Sequence, residues 1–428
     1  MSLPNLHPEI LEEIAEILQD THTESLRPFS LVCSAVRRPA QRLLFQSITL
    51  SVSTESTPSP YNPLTPPVHH IRLRDILKAN PALATYIREV KCLQLENSLA
   101  SRFFGIDTTP KQWILDHGQL LGEILQLLDS SPLQSFSIEN FVYTSPLDWS
   151  QFHPTLVMAL LHVFHKSRLT SVQLSGLSLP QNIFSALPNL KYLVIGNSTW
   201  LPDSPVILPA SHLPAQSQSG QHLCQLSSLR MVISSVVNTP LDSIGRQVGL
   251  DLTRIRSLHL DLSIVPNSSL TRFISLPHLT DLTITHPPHG HADHTFHVDL
   301  GAAVGLRTLT ILYGLLDINP EEFLWISPTL SSLPSRTPIE IFQFKINQNL
   351  ALVNANILEP FKLISIALSS FHRRFPDLKQ IRFDFKFLHA WQRFPALEKR
   401  FRDGVRDRVV WAGCEDVLML DIGGIAAV

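Results

Sequence analysis

The hexapeptides LTDLTI (residues 279–284) and LRTLTI (residues 306–311) repeat one pattern of apolar residues, L-x-x-L-x-L. The last two apolar residues of each hexapeptide alternate with polar ones, which is typical of a strand with one buried face. The first leucine precedes the strand, and we expect it to pack where the strand begins. This pattern decides the fold.

The same pattern recurs along most of the chain, at spacings looser than the roughly 20–29 residues of regular leucine-rich repeats. Its other members are Val90-Leu93-Leu95, Leu133-Phe136-Ile138, Leu169-Val172-Leu174, Leu190-Leu193-Ile195, Ile255-Leu258-Leu260, Ile339-Phe342-Phe344, Leu378-Ile381-Phe383 and a weaker Leu229-Val232. Segments between them, such as residues 119–132 and 154–167, have helical periodicity. Units of helix, turn and strand predict an α/β solenoid with a parallel sheet on one side.

Upstream of the repeats, residues 1–48 predict three short helices followed by a strand. Pro8 suits the first turn of a helix, where its missing N–H is no loss, and Glu9 favours the positive end of the helix dipole. The first helix has apolar residues at three- and four-residue spacing, namely Ile10, Leu11, Ile14, Ile17 and Leu18. The three helices have more apolar surface than so short a segment can cover. The surplus must face another domain or a partner protein.

This region resembles the F-box, the module that docks substrate receptors onto the Skp adaptor of cullin-type ubiquitin ligases. Leu6, Pro8, Glu9 and Ile10 match the family's opening L-P-x-E-I pattern with one residue inserted. The segment SLVCSAVRRPAQRLLFQSITL (residues 30–50) matches its closing pattern of Leu-Val-Cys, a basic pair, Leu-Phe and a strand. Val36 departs from the family, which often has Trp at that position.

The resemblance implies a non-catalytic substrate-recognition subunit of a Skp-cullin-F-box ligase. Its helices would bind the Skp adaptor and through it a cullin, and its repeats would hold an unknown protein target. The residues implied to contact the adaptor are Leu6, Pro8, Ile10, Leu11, Ile14, Leu18, Leu31, Val32 and Cys33. The repeats themselves resemble the leucine-rich-repeat-like domains that follow F-boxes in many fungal proteins. Two alternatives stay open, a ligase-independent scaffold capped by the same helices and an unrelated α/β domain.

We therefore expect four segments. They are a helical F-box-like module (residues 1–48), a Ser/Thr/Pro-rich loop (49–68), an irregular leucine-rich-repeat-like solenoid (69–400) and a C-terminal cap or tail (401–428).

Composition narrows the function further. A net charge of −2 gives no electrostatic reason to expect nucleic acid or an anionic membrane as a partner. With only 16 glycines, the chain has no Gly-rich phosphate loop, and we expect neither cofactor nor enzymatic activity. The four cysteines lie far apart, as expected for reduced thiols. Neither a signal peptide nor a long apolar run is present, so we expect an intracellular protein, cytoplasmic or nuclear.

One histidine-rich segment is a candidate metal site. His289, His291, Asp293 and His294 reproduce the H-x-H-x-D-H string that resembles the zinc motif of metallo-β-lactamases. In that family a helix follows the motif, whereas residues 295–300 alternate like a strand or loop. A zinc hydrolase is therefore the weakest of the functional hypotheses, and zinc binding without catalysis is the more reasonable role for this loop.

Overall fold

The computed structural model contains two compact units, each described separately below. The first comprises Met1–Cys224 and Ile244–Leu250, and the second comprises Gln225–Ser243 and Asp251–Val428. The residues described are 7–22, 25–51, 68–94, 113–140, 146–166, 168–180, 183–187, 189–201, 224–233, 250–262, 267–286, 297–315, 324–348, 374–388, 399, 403 and 418–425.

Helices precede or separate the strands in both units. In the first unit they are α1 (Pro8–His22), α2 (Leu26–Val32), α3 (Ser34–Leu44), α4 (Val68–Ala79), α5 (Trp113–Asp116), α6 (Gly118–Leu127) and α7 (Pro154–Phe164). In the second they are α8 (Asn267–Ile274) and α9 (Ile326–Ser332). Short 3₁₀ helices cover Pro81–Tyr86, Trp149–Gln151, Ile183–Ala186 and Leu252–Arg254. No helix in the described ranges is long and apolar enough to cross a bilayer.

The strands are short in the first unit and longer in the second. They are β1 (Ser47–Ser51), β2 (Glu89–Gln94), β3 (Ser135–Asn140), β4 (Leu147–Asp148), β5 (Ser171–Ser175), β6 (Leu177–Pro180), β7 (Tyr192–Gly196), β8 (Thr199–Leu201), β9 (Cys224–Gln225), β10 (Ser228–Ile233), β11 (Leu250–Asp251), β12 (Ser257–Leu262), β13 (Asp281–His286), β14 (Thr308–Leu315), β15 (Ile341–Gln348), β16 (Gln380–Leu388) and β17 (Leu418–Ile425).

The principal strands of each unit pair in the order in which they occur in the chain. The first unit has the order β1-β2-β3-β5-β7, and the second has β10-β12-β13-β14-β15-β16-β17. Each of these pairings is parallel and in register, so that Leu282 is opposite Leu309 and Ile284 is opposite Ile311. Consecutive parallel strands are the arrangement expected of stacked repeats. The predicted mixed α/β fold with a parallel sheet is confirmed.

A backbone hydrogen-bond pattern marks the start of the repeated strands. The carbonyl before one strand accepts the N–H groups of two successive residues at the start of the next. Arg88 O binds Gln134 N at 2.8 Å and Ser135 N at 3.0 Å, and Arg256 O binds Thr280 N and Asp281 N, both at 2.9 Å. Because a carbonyl has two lone pairs, it satisfies both donors. The backbone hydrogen bonding of the repeat is therefore regular, although the number of residues between successive strands varies.

The apolar residues of the repeats form the core, as predicted. The buried triplets are Leu133-Phe136-Ile138, Leu169-Val172-Leu174, Leu190-Leu193-Ile195, Ile255-Leu258-Leu260, Leu279-Leu282-Ile284, Leu306-Leu309-Ile311, Ile339-Phe342-Phe344 and Leu378-Ile381-Phe383. In each triplet the first residue precedes the strand and the other two point inward from it. The ring centroids of Phe344 and Phe383 are 5.9 Å apart across neighbouring strands.

One predicted triplet, in β2, and one predicted pair, in β10, were wrong in register. In β2 the buried side chains are Val90 and Cys92, whereas Leu93 is half-buried on the opposite face. Cysteine packs as a small apolar residue and takes the place assigned to a leucine. In β10 the buried residues are Leu229 and Met231, so Met231 takes the place that the sequence pattern gave to Val232. The side chain of Val232 lies outside the described residues. Leu95 lies outside the described residues.

The structure adds two features that sequence patterns did not predict. A small parallel sheet of order β4-β6-β8 lies within the first unit, and Gly176, with a φ of +67°, forms the corner between β5 and β6. The tail assigned to residues 401–428 supplies a paired strand, β17, beside β16. Of the predicted Ser/Thr/Pro-rich loop (residues 49–68), residues 52–67 lie outside the described ranges.

Candidate protein-interaction surface

The helical module, defined here as α1 to α3, has a small apolar core of its own. Leu11 and Ala15 of α1, Leu26 of α2, and Val36 and Ala40 of α3 are all buried. The small or branched residues on α3 allow close approach of the other two helices. Val36, at the position where the F-box family often has Trp, is fully enclosed.

An ion-pair group holds α3 beside α1. Arg42 of α3 lies 3.5 Å from carboxylate oxygens of both Glu12 and Glu16 of α1. These side chains are largely solvent-exposed, so each pair stabilises the module only weakly. The ion pairs lie on the side of α1 that faces α3. The opposite side of α1 is left to solvent.

Large apolar side chains remain exposed on this module. Ile10 is 43% exposed, Leu31 77% and Val32 54%. Ile17 is exposed as well and lies two helical turns after Ile10. Isolated exposed apolar residues are ordinary, but several on three short helices indicate a surface for another protein.

The residues implied by the F-box resemblance to contact the adaptor differ in their solvent exposure. Ile10, Leu31 and Val32 are exposed, and Ile14, Leu18 and Cys33 are half-buried. Leu11 is a correction, because it is 2% exposed inside the module and has no surface left to offer a partner. Leu6 and the side chain of Pro8 lie outside the described residues.

A second surface is the outer face of the strands in the second unit, opposite the apolar core. Its central row contains polar residues at successive strands, namely Arg230, His259, Thr283, Thr310, Gln343 and Arg382. His259 Nε2 and Thr285 Oγ1 are hydrogen-bonded at 2.7 Å, and Arg230 lies 4.0 Å from Asp261. Asp384 accepts a hydrogen bond from Arg382 Nε at 2.5 Å. This polar network provides a structured surface with both charges.

Burial shifts the pKa values of two side chains on this outer face, His259 and Asp261. Burial, together with the nearby cations Arg230 and Lys345, lowers the pKa of His259 to about 4, so the ring is neutral at pH 7. Burial raises the pKa of Asp261, an effect that Arg230 only partly offsets. The face therefore combines neutral and charged side chains that hydrogen-bond one another.

The described part of the chain contains neither a metal-binding cluster of side chains nor, at Cys92, a reactive thiol. No group of three or more His, Cys, Asp or Glu side chains within it is arranged to hold a metal ion. Burial raises the pKa of the Cys92 thiol to about 12, which makes it a poor nucleophile at neutral pH. The histidine-rich candidates His289, His291, Asp293 and His294 lie outside the described residues.

Comparison with known proteins identifies no family. No protein-family model matches the chain, and no curated protein matches it in sequence. Among solved structures, it is similar to the crystal structure of a TLR13–ssRNA13 complex, with a TM-score of 0.30 and 16% sequence identity. The similarity covers 73% of this chain and 35% of that chain, so the protein spans about a third of the length of that neighbour.

Proposed function

We propose that this protein is a substrate-recognition subunit of a Skp-cullin-F-box ubiquitin ligase. The helical module binds the Skp adaptor through Ile10, Leu31 and Val32, and the strand units hold a protein target. The contribution of the chain to catalysis is positional. It raises the effective concentration of a target lysine near the ubiquitin-charged enzyme and transfers no group itself.

The exposure of Leu31 and Val32 carries this proposal. Both residues belong to the Leu-Val-Cys stretch by which the chain resembles the F-box, and both point away from the module's own core. Burying both side chains in a partner would contribute about 2–4 kcal/mol, since full burial of an exposed Val or Leu gives about 1.5–3 kcal/mol and these two are 77% and 54% exposed. A module that served only to cap the repeats would be expected to cover these side chains within the chain.

A second argument comes from the separation of roles. The strands' inward side chains are fully used in the core, so target recognition falls to outward side chains that keep some exposure, such as Arg230 and Arg382, each beside a carboxylate. Their mixed charge and fixed hydrogen bonds suit selection of a protein surface by complementarity. In the alternative, a ligase-independent scaffold, the strands would still bind a protein target but the helical module would not bind the Skp adaptor.

The test is adaptor binding by the full-length protein. Leu31→Asp is expected to weaken binding to a purified Skp adaptor at least 30-fold, since loss of a central apolar contact typically costs 2 kcal/mol or more. Ile10→Asp should act in the same direction. Isothermal titration calorimetry or surface plasmon resonance measures both.

The matched control is Val304→Asp. Val304 is 70% exposed and belongs to the second unit, so its charge should leave adaptor affinity unchanged. All three sites are exposed, and circular dichroism should show native helix content in each variant. No measurable binding by the wild-type protein, or equal affinity of Leu31→Asp and wild type, would refute the adaptor role and favour the scaffold.

A further inference from the structure

Three histidines collect beside Trp113 in the first unit. His69 and His70 belong to α4, and His117 follows α5. His70 is 1% exposed, and neither of its ring nitrogens has a hydrogen-bond partner in the part of the chain that the structure describes. Its ring centroid lies 4.2 Å from that of His69 and 5.1 Å from that of Trp113. A buried imidazole packed in this way behaves as an apolar ring only while it is neutral.

The cluster joins the helices to the ends of the first two strands. His69 Nε2 is 2.8 Å from the carbonyl oxygen of Ser51, the last residue of β1. The indole N–H of Trp113 donates to the carbonyl oxygen of Leu93 in β2 at 3.0 Å. Displacement of His70 would therefore act where α4 and α5 dock on the strands.

Among the residues that the structure describes, no anion is placed to compensate a charge on His70. The titratable groups that face it are His69 from α4 and His117 from the turn before α6, and both disfavour a proton on His70. Asp116 acts on His117, where it only partly offsets the effect of burial.

The carboxylates of the neighbouring helices are engaged by cations instead. Glu123 of α6 lies 3.3 Å from Arg74 and 3.7 Å from Lys78, both on α4. Asp75 lies 2.9 Å from Arg74. These pairs hold α4 against α6, and neither carboxylate acts on His70.

We propose that this histidine cluster is an acid-sensitive latch, in which a proton taken up by His70 releases α4 from α5 and α6. The proposal does not depend on adaptor binding. A charged imidazole cannot stay in this site without a partner, because an unpaired buried charge is far less stable than a hydrated one. Movement of α4 would expose the protonated ring to water and so remove the cost of the buried charge.

The direction of the pH dependence follows from burial. Burial, with His69 and His117 as further causes, lowers the pKa of His70 from 6.5 to about 3. The stabilisation of the closed helix by a neutral His70 is complete above pH 6.5 and is lost progressively as the pH falls from 6.5 towards 3. At neutral pH the latch is closed.

Hydrogen exchange of the full-length protein tests the latch. After correction for intrinsic exchange rates, amide protection across α4 should fall about 25-fold between pH 7 and pH 5, the factor that follows from a closed-state pKa of about 3 and an open-state pKa of 6.5. Amides of β14, in the second unit, should show no comparable loss. Parallel loss throughout the chain would indicate global unfolding and overturn the proposal.

The variant His70→Phe keeps an aromatic ring without a proton-binding nitrogen, and it should abolish the fall in protection. His70→Leu serves the same purpose if the Phe variant does not fold. His162→Gln is the matched control, because His162 is exposed and lies 2.5 Å from Asp129, so this variant should retain the full response of α4. A response that persists in both His70 variants would disprove the latch.

Discussion

The helical module and the strand units use the same apolar residue types in opposite ways. Leu309 and Phe344 in the strands are fully buried, whereas Leu31 and Ile10 in the module are 77% and 43% exposed. In the strands, apolar side chains stabilise the fold of this chain. In the module, a share of them stays exposed to solvent. The difference separates residues expected to affect stability from residues expected to affect binding.

Geometry explains why the two regions differ. Alternation sends every second strand residue to one face, and the adjacent parallel strands and the helices cover that face completely. A helix has a wide apolar stripe, and two short partner helices cover only part of it. In α1 the covered part includes Leu11 and Ala15, and the uncovered part includes Ile10.

The largest expected effect belongs to the strand core. Phe344→Ala should lower the free energy of unfolding by about 3–5 kcal/mol, because it removes a fully buried ring that lies against Phe383 and leaves a cavity. Urea denaturation of the full-length protein measures the change. Phe344→Leu, which keeps most of the volume, should cost less than about 1.5 kcal/mol. Equal loss in the two variants would mean that packing at this position does not determine stability.

A smaller effect is expected at the corner before the second sheet of the first unit. Gly176 has a φ of +67°, a conformation that costs other residues about 1–2 kcal/mol. A Cβ atom there would also overlap the carbonyl oxygen of Asn140, whose side-chain amide donates to Gly176 O at 3.1 Å. Gly176→Ala should therefore destabilise the protein by about 2 kcal/mol or more in thermal unfolding.

Gly305 is the matched control for this corner. A Cβ atom at Gly305 would meet only Leu279 O, at 3.4 Å, and no positive φ is required. Gly305→Ala should change the free energy of unfolding by less than about 0.5 kcal/mol. Similar losses at both glycines would indicate that the corner is not strained in the way described.

The sequence predicted the strand units well and the module only in part. A period of two with a preceding leucine is a local signal, so eight apolar triplets were placed in the correct register. The errors arose in β2 and β10, where successive residues are apolar and alternation gives no clear face; in β2, Cys92 rather than Leu93 faces the core. The buried Leu11 had no local signal, because the covered side of α1 depends on where α3 packs. Arg42, beside Glu12 and Glu16, marks that side.

Features that depend on several distant segments were beyond sequence patterns. His70 becomes buried only when α4, α5 and the ends of two strands meet, and these segments are far apart in the chain. Likewise, β17 lies in a segment without the leucine pattern and is recognised by its pairing with β16. Long-range pairing decides such cases, and a single sequence does not record it.

The smallest expected effect makes the comparison most direct, because it uses two leucines of one helix. Leu31→Ala should change the free energy of unfolding by less than about 0.5 kcal/mol, since its side chain is mostly hydrated already. Leu26→Ala, on the buried side of α2, should cost about 2–5 kcal/mol. Both variants replace Leu by Ala, so the change in intrinsic helix propensity is the same in each. The difference between the two losses in the free energy of unfolding therefore reports the burial of the two side chains. If Leu31→Ala destabilised the isolated protein as much as Leu26→Ala, Leu31 would be part of the internal core and unavailable to an adaptor.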